Sequence, residues 1–399
     1  MTKILKNDML NKVPEITLYF WIIKVLCTTV GETASDFLNE SLNLGLNGTS
    51  VVMGALLAVV LYFQFRSNKY IPGVYWLAVV LVSIFGTLIT DILTDKWKVP
   101  LETTTIVFSV ALALTFAIWY AKERTLSIHT IFTSRREAFY WLAILFTFAL
   151  GTAAGDLASE KWALGYLVSG IIFCAVIAAV GIAWRLKLNP VLAFWIAYIM
   201  TRPVGASLGD YLSQATTAGG VGLGPTITTG LFLLAILMTV IYLSVTKRDL
   251  IVKETREVFA VTNRYAAMIQ TAIVVFVLVI TGGSGYYWHQ AKLRSEAPVM
   301  TSPGSPLGDL SVFRQIAEDT LGLVRKSDLP GAKSRITDLE SAWDKAEERL
   351  KPVNFGAWTS ADKSIDRALR QLRSARLDGG ACCASLETLI AKFYALDKK

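Results

Sequence analysis

The feature that most limits how this chain folds is a series of nine mostly apolar blocks. They lie at about 15–37, 49–65, 73–93, 101–121, 138–157, 166–184, 190–211, 226–246 and 265–284. A hydrocarbon core of about 30 Å takes about 20 helical residues. Within it each crossing must satisfy its own backbone hydrogen bonds, which selects helices. Composition agrees, since 53% of the 399 residues are hydrophobic and only 18% are charged. The expectation is an all-α membrane protein with nine transmembrane helices. The first block follows a polar start bearing Lys3, Lys6 and Lys12 and lacks a small-residue cleavage site. It therefore reads as a retained helix and not a signal peptide.

Inside the blocks one spacing returns four times. Trp21, Gly31 and Asp36 are matched by Trp76, Gly86 and Asp91, by Trp141, Gly151 and Asp156, and by Trp195, Gly205 and Asp210. The pattern is W-x9-G-x4-D, with one further apolar helix after each copy. The glycines are 120 residues apart (31 to 151) and 119 apart (86 to 205), as if a pair had been duplicated again. Eight of the nine helices thus form four tandem two-helix repeats, at 14–67, 73–122, 138–186 and 190–246. Two helices per repeat make all copies parallel, related by an axis along the membrane normal. Around them lie the N-terminus at 1–13, the ninth helix at 265–284, a linker at 285–308 and a small external helical bundle at 309–399.

The pattern resembles an uncharacterised family of bacterial inner-membrane proteins built from this repeated segment. Resemblance covers roughly residues 14–246, and "KVLCTTVGETASDFL" is its most recognisable stretch. It implies a multi-pass inner-membrane fold and carries no activity with it.

Orientation follows from lysine and arginine near helix ends. The N-terminus and the segments at Arg66 and Lys69, Lys122 to Arg136, Arg185 and Lys187, and Lys247 to Arg264 are basic, whereas 38–48 and 212–225 hold no lysine or arginine. The mixed connection from Asp95 to Lys98 opposes this weakly. The N-terminus is expected in the cytoplasm and the segment after about 285 outside. The net charge of +8 then faces anionic lipid, so the bilayer is a partner and nucleic acid is not.

Steps of four residues keep to one helix face. In the first helix this face carries Lys24, Thr28, Glu32 and Asp36. Its equivalents are Val79, Ser83, Thr87 and Asp91; Ile144, Phe148, Thr152 and Asp156; and Tyr198, Arg202, Ala206 and Asp210. Polarity concentrates in repeats one and four, so Asp156, in the least polar repeat, is expected to matter less. A charge at the bilayer centre costs about 2.5–3.5 kcal/mol even on an insertion scale. Lys24, Glu32 and Arg202 therefore read as facing an interior, with Glu32 contacting Arg202 or Lys24. Arg202 also precedes Pro203, which frees a helix carbonyl. Other readings stay open at this point. Asp91 and Asp156 serve equally as caps or ties between repeats, the three inner charges as a structural ion network, and Gly31, Gly86, Gly151 and Gly205 as packing positions.

Cys27 and Cys174 read as buried apolar residues within helices, while Cys382 and Cys383 read as free thiols or a strained vicinal bond. His129 and His289 fall on opposite sides, which excludes a histidine-rich metal site. In the tail, apolar positions recur at helical spacing over 310–326, 331–350, 358–374 and 381–396. Asp338, Glu340, Asp344, Glu347 and Glu348 alternate there with Lys333, Arg335, Lys345 and Arg349, the pattern of a solvated face.

No G-x-x-x-x-G-K-[ST] loop, paired histidines, nucleophile elbow or CxxC is present. An enzyme and a bound cofactor are accordingly not expected. The expected function is a secondary transporter or exporter of a hard, manganese- or magnesium-like cation or a proton-coupled solute. Its path would run along Lys24, Thr28, Glu32, Asp36, Arg202 and Asp210, with Glu32, Asp36 and Asp210 as the metal ligands. One rival reading is a membrane-anchored sensor or envelope interaction protein that uses residues 309–399. Another is an intramembrane enzyme with a lipid or quinone pocket. Expected partners are a small ion or solute and, through the tail, an envelope protein, with homo-oligomerisation left open.

Overall fold

The structure, a computed structural model, describes residues 11–41, 44–162, 164–216, 219–249, 270, 307–351, 353–374 and 378–397. The expected ninth helix at 265–284 lies outside them apart from Gln270, as does the linker up to residue 306. Every regular element among the described residues is helical.

The first unit holds α1 (Leu18–Asp36), α2 (Gly45–Arg66), α3 (Pro72–Asp91), α4 (Leu101–Glu123), α5 (Ser134–Asp156), α6 (Tyr166–Arg185), α7 (Pro190–Ser213) and α8 (Pro225–Thr246). Local chemistry starts them. Thr17, Thr133 and Asn189 accept backbone N–H bonds at the heads of α1, α5 and α7. Pro72, Pro190 and Pro225 occupy first-turn positions, where a missing N–H is harmless. The helices α2 to α8 are long and apolar enough to cross a membrane. In α1 the charges of Lys24, Glu32 and Asp36 offset its apolar residues, and nearly all of its second half is buried. This is a multi-pass membrane protein.

Packing separates two rings. The odd helices α1, α3, α5 and α7 each pack against the next, and α7 closes on α1. The even helices lie outside them, each against the first helix of the following repeat: α2 on α3, α4 on α5, α6 on α7 and α8 on α1. Their outward faces carry exposed Val51, Leu56, Val110, Ile171, Ile182 and Leu237, as lipid contact requires. Cys174, expected buried, is exposed on α6 because that helix belongs to the outer ring, whereas Cys27 is buried in the inner ring.

Beyond the aspartates of the first three repeats the helix widens into a five-residue π turn: Phe37–Ser41 after Asp36, Ile92–Lys96 after Asp91 and Leu157–Lys161 after Asp156. In the fourth repeat α7 runs on past Asp210 to Ser213 as α-helix. Such π turns are rare and frequent at functional sites.

The second unit contains α9 (Ser311–Arg325), α10 (Leu329–Leu350), α11 (Phe355–Arg373) and α12 (Gly379–Asp397). Each packs on the next, and α12 returns to α9, making a four-helix bundle with its own core. Trp343 and Trp358 stack there at 6.3 Å with an interplanar angle of 10°. The ends are tied, since Asp397 accepts from Leu310 N at 3.1 Å and pairs with Arg314. On the polar face Arg335 bridges Asp319 at 2.8 Å and Asp338 at 3.0 Å, and Arg373 holds Glu340 at 2.5 Å. Cys382 is buried and Cys383 half-buried, both as free thiols.

Candidate functional site

The four glycines set the spacing of the inner ring. A methyl added at Gly31 would strike Ser83, at Gly86 Phe148, at Gly151 Arg202 and at Gly205 Thr28. In each case the residue struck is the one three places before the glycine of the next repeat. The same interface is therefore built four times in the same direction, and the ring closes. Backbones approach this closely only where a side chain is missing.

Around the axis of this ring the stripe positions stack in layers. From the tryptophan end they run Lys24, Val79, Ile144 and Tyr198; Thr28, Ser83, Phe148 and Arg202; Glu32, Thr87, Thr152 and Ala206; then the four aspartates. Arg202 is fully buried and reaches across the axis. Its Nη2 donates to Glu32 Oε2 at 2.7 Å, Thr87 Oγ1 at 2.5 Å and Thr152 Oγ1 at 2.7 Å, and Nη1 donates to Thr28 O at 3.4 Å. The three side-chain acceptors occupy one repeat position, taken from each of the other repeats. The two N–H groups of Nη2 are thus shared among three acceptors, while Nη1 takes the carbonyl. Thr87 and Thr152 stood on the sequence stripe but outside the path assigned to repeats one and four. A closed ring brings the equivalent position of every repeat to the axis, and that adds them.

Lys24 does not meet Glu32. Its Nζ lies 4.0 Å from the centroid of the Phe148 ring and 4.3 Å from that of Tyr198, with no hydrogen-bond partner among the described residues.

At the aspartate end the acids gather. Carboxylate oxygens of Glu32, Asp156 and Asp210 lie within 4.8 Å of one another. Asp36 is not in this group, and Asp91 Oδ2 instead accepts from Ser35 Oγ at 3.2 Å. Asp156 belongs to the least polar repeat, yet adjacent repeats in the ring bring it beside Asp210 and close to the buried Glu32. Thr229 of α8 donates to Thr33 at 2.9 Å and holds α1 from outside.

The tryptophan end is shut by aromatic rings. Phe20 packs on Trp76 at 5.6 Å, Tyr75 on Trp141 at 5.5 Å, Tyr140 on Trp195 at 6.3 Å and Phe194 on Trp21 at 5.7 Å. Again each repeat meets the next and the fourth meets the first. The signal was in the sequence, where an aromatic residue precedes every repeat tryptophan. Across this end runs the segment before α1. Lys12 Nζ pairs with buried Glu137 at 2.6 Å and donates to Phe65 O at 3.0 Å, Gln64 donates to Glu137 at 3.1 Å, and Glu15 N donates to Asp249 O at 2.9 Å. Tyr70 OH donates to Asp249 Oδ2 at 2.5 Å. Burial raises both the Asp249 carboxyl and the Tyr70 phenol above their ordinary ranges.

A closed double ring of four two-helix repeats, with charged and hydroxyl groups on its axis, defines a multi-pass membrane protein with internal pseudo-fourfold order. The model of the Repeat of Unknown Function (DUF347) matches at residues 19–70, 74–125, 139–187 and 193–249, more than half of the chain, and the protein belongs to that family. No curated protein and no solved structure matches it.

Proposed function

We propose that the protein is a secondary transporter of a hard divalent cation, manganese- or magnesium-like, whose entry site is formed by Glu32, Asp156 and Asp210. The reading rests chiefly on the convergence of these three carboxylates at one end of the ring axis. Hard cations take oxygen ligands, and three carboxylates this close repel one another unless a positive charge or protons join them. Arg202 supplies part of that charge through Glu32. A cation arriving at the trio competes with the guanidinium for the Glu32 carboxylate, so loading the site would loosen the contact that blocks the axis. In this reading the protein sits in a bacterial plasma membrane with nine spans, and the basic loops favour a cytoplasmic tryptophan end and an external C-terminal bundle.

The test is Mn2+ flux into proteoliposomes bearing the purified full chain, beside Asp210→Asn and protein-free vesicles. Flux by the parent that falls in Asp210→Asn is expected. Parental flux equal to that of protein-free vesicles overturns the proposal.

A further inference from the structure

Lys24 is 1% exposed, and its amine has no carboxylate or hydrogen-bond acceptor among the described residues. Two other buried cations are matched, Arg202 by Glu32 and Lys12 by Glu137. A buried ammonium without a partner is costly. Two ring faces, Phe148 and Tyr198, attract an ammonium but supply no counter-charge. Neither protonation state is fully satisfied, so a small change nearby is enough to move the proton. A structural role would be met better by leucine or methionine, which fill the same space without this frustration.

The surroundings of Lys24 support a change of charge. Cys27 faces it from its own helix, and Arg202 and Tyr198 face it from α7. From α5 it meets the Phe148 ring, and from α8 the buried positions are Thr228, Thr229, Ile236 and Leu243, none of them titratable. Toward the tryptophan end α3 and α5 bring Tyr75 and Tyr140, whose hydroxyls bond at 2.5 Å, and beyond them Tyr70 bonds Asp249. Lys24 thus stands between the guanidinium and acids on one side and a series of hydroxyls leading to the tryptophan end on the other. Arginine cannot give up its proton in a protein, whereas lysine does so readily when buried. When a cation displaces Arg202 from Glu32, the loosened guanidinium repels an ammonium at Lys24.

We infer that Lys24 carries the proton exchanged for the cation: its Nζ lone pair takes up H+ to form the ammonium while the acid trio is empty of metal, and returns H+ to water when the trio loads. This deepens the proposed transport function and rests on it for the exchange, though not for the protonation itself.

Two measurements on the full-length protein separate the two ideas. In protein labelled with 13Cε-lysine, the Lys24 resonance is identified by its loss in Lys24→Arg. It is expected to titrate within the pH window over which the protein stays folded. In proteoliposomes, Lys24→Met is expected to lower Mn2+ accumulation driven by a pH gradient by ~tenfold or more and to make what remains independent of the gradient. Lys24→Arg should lower accumulation as well, since a fixed charge cannot cycle, and should also weaken Mn2+ binding, because its charge stays when the trio loads. A resonance that does not move across that window, or gradient-driven accumulation by Lys24→Met at the parental level, overturns the inference while transport stands. A titrating resonance in a parent protein that moves no Mn2+ upholds the proton site and overturns transport instead.

Discussion

Arg202 and Glu32 lie 170 residues apart in the chain and 2.7 Å apart in the structure, joined across the axis of a ring that α7 and α1 close. The contact is one of four made by the same guanidinium, and the Asp156 and Asp210 carboxylates lie close to that of Glu32, so without the Glu32 charge Arg202 keeps hydrogen-bond acceptors and nearby negative charge. Glu32→Gln keeps an acceptor for Nη2. Folded yield should stay near parental while Mn2+ flux per folded molecule falls by ~tenfold or more, equivalent to about 1.4 kcal/mol. A pair that serves structure alone gives the opposite pattern. Breaking it costs about 3–5 kcal/mol, folded protein declines first, and flux per folded molecule is unchanged.

Asp156 and Asp91 occupy the same repeat position, but only Asp156 joins the trio. Mn2+ affinity measured by calorimetry should therefore drop by ~tenfold or more in Asp156→Asn and by much less in Asp91→Asn. Equal losses would mean that all four aspartates bind as one ring.

The glycine interfaces predict where volume is forbidden. Gly205→Ala drives a methyl into Thr28 and should destabilise the protein by about 1–3 kcal/mol, as overpacking does. Gly181→Ala in α6 meets nothing within 4 Å, and the better helix propensity of alanine should leave it neutral or slightly stabilising. Thermal melting in detergent distinguishes the two.

At the tryptophan end the raised Asp249 carboxyl predicts a pH dependence. The folded protein holds this proton at pH values where the unfolded chain, near an ordinary value of about 3.9, has lost it. The site's contribution to stability is thus greatest at low pH and is lost as pH rises through the raised value. Asp249→Asn removes the titration, so its melting temperature relative to the parent should climb as pH increases. A difference that stays flat with pH would show that this carboxyl titrates alike in both states.

The C-terminal bundle has its own core, with Trp343 and Trp358 stacked inside it and Asp397 tying the last helix to the first. Residues 307–397 expressed alone should melt cooperatively by circular dichroism. Trp343→Ala should cost about 3–5 kcal/mol. A non-cooperative melt of the parent fragment would show that the bundle needs the rest of the chain.

What the sequence determined by itself is local. Length and apolarity of the blocks dictate helices in a bilayer, because each helix satisfies its backbone internally. The W-x9-G-x4-D spacing marks four equivalent segments, and the 3.6-residue period places Lys24, Thr28, Glu32 and Asp36 on one face before any neighbour is known. The tertiary structure decided which faces meet. Helix periodicity names a face but leaves its rotation and its neighbour open, and these are settled by how closely two helices cross. The glycines make that crossing close enough for Arg202 to reach Glu32, Thr87 and Thr152 together. Packing of α5 on α7 then sets Asp156 beside Asp210, closure of α7 on α1 brings Glu32 to them, and Asp36 stays out of the group although it shares the motif position of the two aspartates. Lys24, on the same stripe as Glu32, finds two aromatic rings instead of a carboxylate because it meets Tyr198 of its own layer on α7 and Phe148 of the next layer on α5.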